Sequence, residues 1–448
     1  MSTTREKPAA AIVTLGCKVN QYESEAIAEG LEAAGFCLRP QSEPCDLYVV
    51  NTCTVTSESD RKSRQLIRRL LSKNPRAYMV VTGCSAQVRA EGIAAIAGVD
   101  AVVGNRDKMA VVEVAKRLWQ TGEKNATPEL HVPSLEGSGF EPMTITRFDR
   151  TRAYVKIQDG CESHCTYCTI PAARGPLRSK PIGDVISEVE ALVAGGCREV
   201  VLTGIETGAW GRDLGCLRLE DLLCEVDKIP HLGRVRLGSL DPTVMTPAFV
   251  ERIANLRTLA PHFHLSMQSG CSATLARMKR KYNADGAMAA MARVRAAMPQ
   301  VQFTTDMIVG FPGESEAEFA ESLAFARRAE FLHIHVFPYS RREGTPAAIM
   351  KDQIPESVKH ERVAALSDVS RESCAAILDR AVAAAQAGAE PLTALMESRN
   401  GGYFHGHTPD FMEVKLACDN DCDLGGCEIA VRPVARDGET MVVEWVRE

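Results

Sequence analysis

The chain has 448 residues, 45% apolar and 25% charged. That is normal for a folded globular protein and argues against wholesale disorder, and at about 150 residues per domain it predicts about three domains. A net charge of −6 excludes a uniformly basic nucleic-acid coat, so any RNA contact must come from local patches. No run of about 18 apolar residues occurs, and the first residues lack the apolar stretch of a signal peptide, so a cytoplasmic protein with no membrane partner is expected.

Residues 1–120 alternate short apolar runs with helical patterns. Ala11–Leu15, Asp46–Val50 and Ala77–Val81 read as buried strands, and Ser24–Ala34 and Asp60–Ser72 as helices. That pattern predicts an α/β domain with a parallel sheet. Residues 121–147 lose the periodicity among Gly, Pro and Ser and read as a linker. Over 148–378 a second βα series follows, with strands at Arg152–Gln158, Glu199–Thr203, Arg234–Gly238, His262–Ser266, Phe303–Val309 and Leu332–Phe337. Six such units predict a partial (β/α)6 barrel. An Ala-rich helical stretch, Ala375–Ala389, leads into a small C-terminal β barrel or sandwich (379–448), with strands at Phe411–Leu416, Cys427–Arg432 and Met441–Val446.

Sixteen cysteines stand out in a chain expected to meet a reducing compartment, where clustered thiols more often bind metal than form disulfides. Cys161, Cys165 and Cys168 have C-x3-C-x2-C spacing just after the first barrel strand, where βα loops build active sites. Three thiolates can hold one face of an Fe–S cluster and leave one iron open for catalysis. The alternative is a structural zinc site with His164 as fourth ligand. A second set, Cys17, Cys53 and Cys84, is dispersed, but each residue directly follows a predicted strand. In a parallel sheet those ends share the edge where ligands bind, so these three could hold a second cluster, or could be three buried core thiols. Cys418, Cys422 and Cys427 have ligand-like spacing, yet Asp419, Asp421 and Asp423 would repel thiolates and a negatively charged cluster. The remaining cysteines read as packing or surface residues.

Seven basic residues and no acidic one lie between Arg61 and Arg76. On a helix Leu66, Ile67, Leu70 and Leu71 form a buried stripe, leaving Arg61, Arg64 and Arg68 on a solvated face suited to phosphate, or simply to water. Arg277–Lys281 and Arg174–Lys180 are further basic clusters. Residues 384–448 carry five Lys/Arg against twelve Asp/Glu, so the last domain as a whole repels phosphate; only a patch such as Arg399, His405 and Lys415 could bind it.

The C-x3-C-x2-C segment resembles the signature of radical S-adenosylmethionine enzymes, and its pairing with Cys17, Cys53 and Cys84 resembles their methylthiotransferase family over essentially the whole chain. Further matching segments are Cys168 to Arg174, Leu202 to Gly204, His264 to Gly270, Asp306 to Gly313 and Tyr339 to Thr345. The stretches Leu15 to Ser24 and Asn51 to Arg64 resemble the branch acting on threonylcarbamoyladenosine in tRNA. The resemblance implies two [4Fe–4S] clusters. That on Cys161, Cys165 and Cys168 would chelate S-adenosylmethionine and yield a 5′-deoxyadenosyl radical. That on Cys17, Cys53 and Cys84 would carry the sulfur, for methylthiolation at C2 of the modified adenosine beside the anticodon. It implies cofactor contacts from Thr203 and Gly204, more weakly from Gln268, Asp306 and Gly310, and from Tyr167 over the adenine. His264 fits either the site or the core. The implied C-terminal module is a TRAM-like RNA-binding barrel. The implied partners are the tRNA anticodon loop, a low-potential donor of flavodoxin or ferredoxin type, and a possible sulfur donor. A different adenosine or a ribosomal protein as substrate, or a non-catalytic Fe–S electron carrier or RNA-binding redox sensor, remain the rivals; a carrier would need closed, four-cysteine clusters.

Overall fold

The computed structural model describes residues 7–148, 151–417 and 423–447. The N-terminal domain is a six-stranded parallel sheet. Its strands are β1 (Ala9–Thr14), β2 (Cys37–Leu38), β3 (Leu47–Thr52), β4 (Tyr78–Gly83), β5 (Ala101–Val103) and β6 (Glu129–His131), in the order β2-β1-β3-β4-β5-β6. Both faces are covered: Tyr48, Val50, Met79 and Val81 belong to one core, and Leu47, Val49, Tyr78 and Val80 to the other. Such continuous apolar runs suit strands buried on both sides. β6 lies inside the stretch read as a linker. It pairs with β5 through Leu130 and its neighbours, and Met143 and Ile145 further on are buried in the barrel core, so much of that stretch is packed structure.

Three helices of this domain matter for the site: α1 (Lys18–Ala33), α2 (Ser57–Lys73) and α3 (Cys84–Val88). α2 starts where Thr56 caps it, its hydroxyl accepting from the Ser59 N–H at 3.1 Å, with Glu58 and Asp60 in the positive first turn. Leu66, Ile67, Leu70 and Leu71 are buried as their spacing predicts.

The second domain begins with β7 (Arg152–Lys156) and a short antiparallel pair, β8 (Gln158–Asp159) and β9 (Arg178–Ser179). It continues through β10 (Glu199–Thr203), β11 (Arg234–Leu237), β12 (His262–Gln268), β13 (Gln302–Val309) and β14 (His333–Pro338). β11-β10-β7 and β12-β13-β14 are each parallel, and bridges at Val235–Leu259 and Leu240–Leu265 join them into one six-stranded open barrel. α1 packs at the β7 edge, where its Tyr22 and Ala26 join the barrel core.

The predicted Ala-rich helix is the end of a 31-residue helix, Glu356–Gln386. Behind it β15 (Leu392–Asn400), β16 (Tyr403–His407), β17 (Glu413–Ala417), β18 (Glu428–Asp437) and β19 (Thr440–Trp445) close a barrel in the order β15-β16-β17-β19-β18. Cys418 and Cys422 lie outside the described residues; Cys427 is exposed.

Candidate active site

Cys17, Cys53 and Cys84 follow β1, β3 and β4, three neighbouring strands of one parallel sheet, so their ends lie side by side. Gly16 lets the β1–α1 turn close onto this point. Its φ is +105°, and a Cβ there would sit 2.8 Å from Cys53 Cβ and 2.9 Å from Cys53 Sγ. Burial pushes the Cys53 thiol up to about 11, and neighbouring Cys84 and Cys17 add to the rise. Cys17 retains accessible surface, but its thiol is ringed by protein atoms; that desolvation raises its pKa, against the pull of Arg174.

Beside this triad is a buried charge cluster. Arg174, fully buried, donates from Nε to Cys84 Sγ at 3.2 Å and from Nη2 to Asn20 Oδ1 at 2.6 Å, and its Nη1 pairs with Glu23. Lys108 and Lys156 reach the same Glu23 at 3.1 and 2.7 Å, while Lys156 and Arg178 reach Asp159 at 2.8 and 3.5 Å. Burial opposes the Glu23 carboxylate, but Arg174, Lys108 and Lys156 outweigh it and hold its pKa well below the usual range. Four basic side chains thus face Glu23 and Asp159, with Glu141 a third carboxylate in electrostatic reach of Lys108 and Lys156. A buried cationic surplus calls for an anionic partner, and thiolates ligating a metal cage supply one.

Cys161, Cys165 and Cys168 occupy the loop between β8 and β9. Gly160 makes the entry turn at φ +75°, where a Cβ would lie 1.8 Å from the Pro176 carbonyl oxygen. The Ser163 and Ile170 backbone N–H groups point at Cys161 Sγ and Cys168 Sγ, both at 3.4 Å, and Arg280 Nη1 donates to Cys165 Sγ at 3.2 Å. Burial, then the adjacent Glu206 carboxylate, pushes the Cys161 thiol up to about 12; burial lifts Cys168 to about 11. Such thiols stay protonated at neutral pH unless a metal takes the proton's place.

All three cysteines line a cavity of about 320 Å³. Val55 and Thr56, just after Cys53, form part of its wall, and Thr169 Oγ1 donates to the Thr54 carbonyl at 3.4 Å. Cys84 also contributes to the raised pKa of Cys168, so the two triads are within electrostatic reach of each other. A single ion suits neither triad. Among the described residues, the three-ligand group whose atoms all lie within 4.8 Å of one another is His264, Asp306 and His335. His164 lines a cleft with Cys161, Gln87 and Pro171 that neither Cys165 nor Cys168 lines, which disfavours the zinc alternative.

Tyr167, Gln268 and Asp306 also line the cavity; Thr203, Gly204 and Gly310 do not. Thr203 is buried at the end of β10, Gly204 lies against Gln158, and Gly310 lies against Lys359. The next turn after β10 supplies the lining instead, through Ile205 and Glu206. His264 is no isolated core residue: it bonds Thr304 Oγ1 at 2.9 Å and Asp306 at 3.2 Å.

Two further basic clusters turn largely inward, though Lys279 and Lys281 stay exposed. Arg174, Arg178 and Lys180 are buried, Lys180 against Glu188 at 2.5 Å. In the other, Arg280 turns inward to Cys165 and to Asp241 at 2.8 Å, and Arg277 pairs with Glu318 at 2.6 Å. Arg280 and Glu206 are the site residues the sequence reading missed. The signal for Arg280 was present, a cation close behind a barrel strand, but charge alone did not tell inside from outside. In the C-terminal barrel Lys415 pairs with Asp437 and His405 with Glu413, so those members of the suggested patch already have acidic partners.

A six-stranded parallel barrel with three cysteines in its first loop defines a radical S-adenosylmethionine enzyme. The Radical SAM superfamily model matches residues 155–326, and that of the Uncharacterized protein family UPF0004 matches 9–104. The radical S-adenosylmethionine methyltransferase TsrM from Kitasatospora setae shares the fold, with a TM-score of 0.56 at 17% identity over 77% of each chain. The Threonylcarbamoyladenosine tRNA methylthiotransferase MtaB of Bacillus subtilis is 40% identical over 90% of this chain and 88% of its own; that of Thermotoga maritima is 38% identical over 81% of each. A tRNA-2-methylthio-N(6)-dimethylallyladenosine synthase of Carboxydothermus hydrogenoformans is 35% identical over 80% of this chain and 82% of its own. The chain belongs to the MtaB family of radical S-adenosylmethionine methylthiotransferases. Membership implies a [4Fe–4S] cluster and S-adenosylmethionine. No helix among the described residues is long and apolar enough to cross a membrane.

Proposed function

We propose that this enzyme methylthiolates C2 of N6-threonylcarbamoyladenosine beside the tRNA anticodon, using two [4Fe–4S] clusters. The observation that carries the two-cluster reading is a pair of cysteine triads within electrostatic reach of each other, each with an arginine donating to a sulfur, Arg280 to Cys165 and Arg174 to Cys84, with the residues after Cys53 walling the cavity that the other triad lines. Cys161, Cys165 and Cys168 hold the cluster that binds S-adenosylmethionine; Cys17, Cys53 and Cys84 hold the second.

When bound, these groups supply one-electron cleavage of S-adenosylmethionine and a transferable sulfur, because an aromatic C–H is neither acidic nor electrophilic enough for acid–base chemistry. The protein's share is placement. Arg280 ties Cys165 to Asp241 and to the Ser266 carbonyl, fixing the loop against β12. Tyr167, edge-on to Phe311, offers a face for the adenine. Gln268, held at φ +63°, and Asp306, bonded to His264, present polar groups at the barrel mouth. Val55 and Thr56 narrow the space where solvent would quench reactive species. Outside, Arg64 and Arg68 on α2 take backbone phosphates, with Arg61 shared with Glu58 at 2.6 Å. A low-potential flavodoxin- or ferredoxin-type protein supplies the electron, and a separate donor restores the sulfur.

The test is Cys84→Ala in reconstituted protein. Iron should fall from about eight to about four per chain, cofactor cleavage should persist, and methylthio product should vanish. Unchanged iron content refutes the second cluster. For the substrate, nucleosides of tRNA from a strain lacking the gene should lose the methylthio form of threonylcarbamoyladenosine; loss of the isopentenyl counterpart instead refutes the assignment.

A further inference from the structure

One group of side chains suited to a metal lies apart from both cysteine sets. His264, Asp306 and His335 stand on three neighbouring strands, β12, β13 and β14. The register brings them together. His264 pairs with Thr304 across β12 and β13, and Asp306 pairs with His335 across β13 and β14. Thr304 and Asp306 are two residues apart on one strand, so all three side chains leave the same face of the sheet. Each offers one ligand atom, and the three atoms lie within 4.8 Å of one another. His264 Nε2 and Asp306 Oδ2 are 3.2 Å apart, close to the separation of two ligands that each sit about 2.1 Å from a shared ion.

The surroundings fit as well. Among the described residues Asp306 has no lysine or arginine within ion-pair distance, so no permanent cation takes its carboxylate. His264 Nδ1 bonds Thr304 Oγ1 at 2.9 Å, which leaves Nε2 to face Asp306. A metal-bound histidine is held in this way, with its other ring nitrogen tied to a neighbouring oxygen. The hydrogen bond from His264 to Asp306 alone would account for two of the three residues. It does not account for His335, an exposed imidazole placed directly across the strand pair from that carboxylate. We propose that His264, Asp306 and His335 form a binding site for one divalent transition-metal ion. Two imidazoles and a carboxylate suit zinc, iron or nickel better than magnesium or calcium, which favour oxygen ligands. Three protein ligands leave at least one coordination position open. Asp306 also lines the cavity, so the ion would stand at the cavity wall, where an oxygen atom of a ligand can complete its shell. The site is separate from the six cysteines and holds whichever adenosine is the substrate.

The experiment uses the reconstituted holoenzyme, in which the cysteines are occupied by cluster iron. The protein is equilibrated with Zn²⁺, freed of loose ion by gel filtration and analysed for zinc. About one zinc per chain should remain. Anomalous scattering at the zinc edge from crystals of the same preparation should place it between His264, Asp306 and His335. His335→Ala and Asp306→Asn should each raise the Kd for Zn²⁺ by at least about tenfold, since losing even a hydrogen bond that supports a metal ligand costs roughly 10- to 100-fold. His335 is exposed, so its truncation leaves the core intact, and the test stands even where Asp306→Asn fails to fold. A wild-type protein that retains no zinc, zinc located only elsewhere in the crystal, or a His335→Ala variant that binds zinc as tightly as the wild type overturns the inference.

Discussion

Arg174 shows how one side chain serves both domains. It is contributed by the short helix Ile170–Arg174 that follows Cys168, yet its guanidinium reaches Glu23 and Asn20 on α1 and Cys84 at the start of α3. Removing a member of a buried ionic network costs more than the network contributes over an apolar one, because groups are left desolvated without partners. Arg174→Met is therefore expected to lower unfolding stability by about 3 kcal/mol, with Arg174→Lys recovering part of the loss. Denaturant titration checks this; a loss below about 1 kcal/mol, the size of a surface effect, shows that Lys108 and Lys156 satisfy Glu23 alone.

At the scale of the element, α2 joins the N-terminal domain to the end of the barrel. The Ser57 N–H donates to Ser340 Oγ at 3.1 Å, and Arg342 reaches buried Asp60 at 2.5 Å from the loop after β14. That clamp fixes the orientation of the outer, basic face of α2 beside the cavity. Phosphate contacts release counterions, and each lost contact reduces the salt slope by about 0.7–0.9. The double variant Arg64→Gln, Arg68→Gln should weaken tRNA binding at every sequence and flatten the log Kd against log[salt] slope by about 1.5. Binding measured across a salt series decides it: an unchanged slope makes this a face that only meets water. Lys73 and Arg76, farther along, serve as the comparison.

Across the whole molecule, the C-terminal barrel docks on the floor of the central one through Glu199. This carboxylate meets Arg152, Arg234 and Arg236 at 2.8, 3.0 and 2.7 Å; these in turn hold Glu397, Glu428 and the Thr408 and Pro409 carbonyls. Phe411 inserts between His262 and His407, with ring centroids 4.5 and 4.6 Å away, and takes φ +74° to do so. Burial opposes Glu199's charge, but Arg236, Arg152 and Arg234 outweigh it and lower its pKa from 4.5 to about 2. A depressed carboxylate stabilises the fold above its unfolded pKa and loses that contribution as pH falls through its folded value. Roughly 2–3 kcal/mol should therefore be lost between pH 4.5 and 2 from this group. Glu199→Gln should remove that part of the pH dependence, as read from denaturant midpoints across the window; an identical acid profile for the variant refutes it.

The parallel N-terminal sheet, the open barrel and the position of both cysteine sets after strands were legible in the chain itself. They rest on local rules: apolar runs of strand length, helical spacing between them, and cysteines placed directly after strands. β6 escaped notice because three residues at a sheet edge, half exposed, carry little hydrophobic signal. β15 and β16 were also missed. What only the tertiary structure decided was the allegiance of the charges. Arg174, Arg178, Lys180 and Arg280 read as a solvated basic surface in one dimension, but folding turns them toward buried carboxylates and cysteine sulfur. A charge carries the same letter whether it faces water, a carboxylate or a ligand, and its energy is set by neighbours hundreds of residues away.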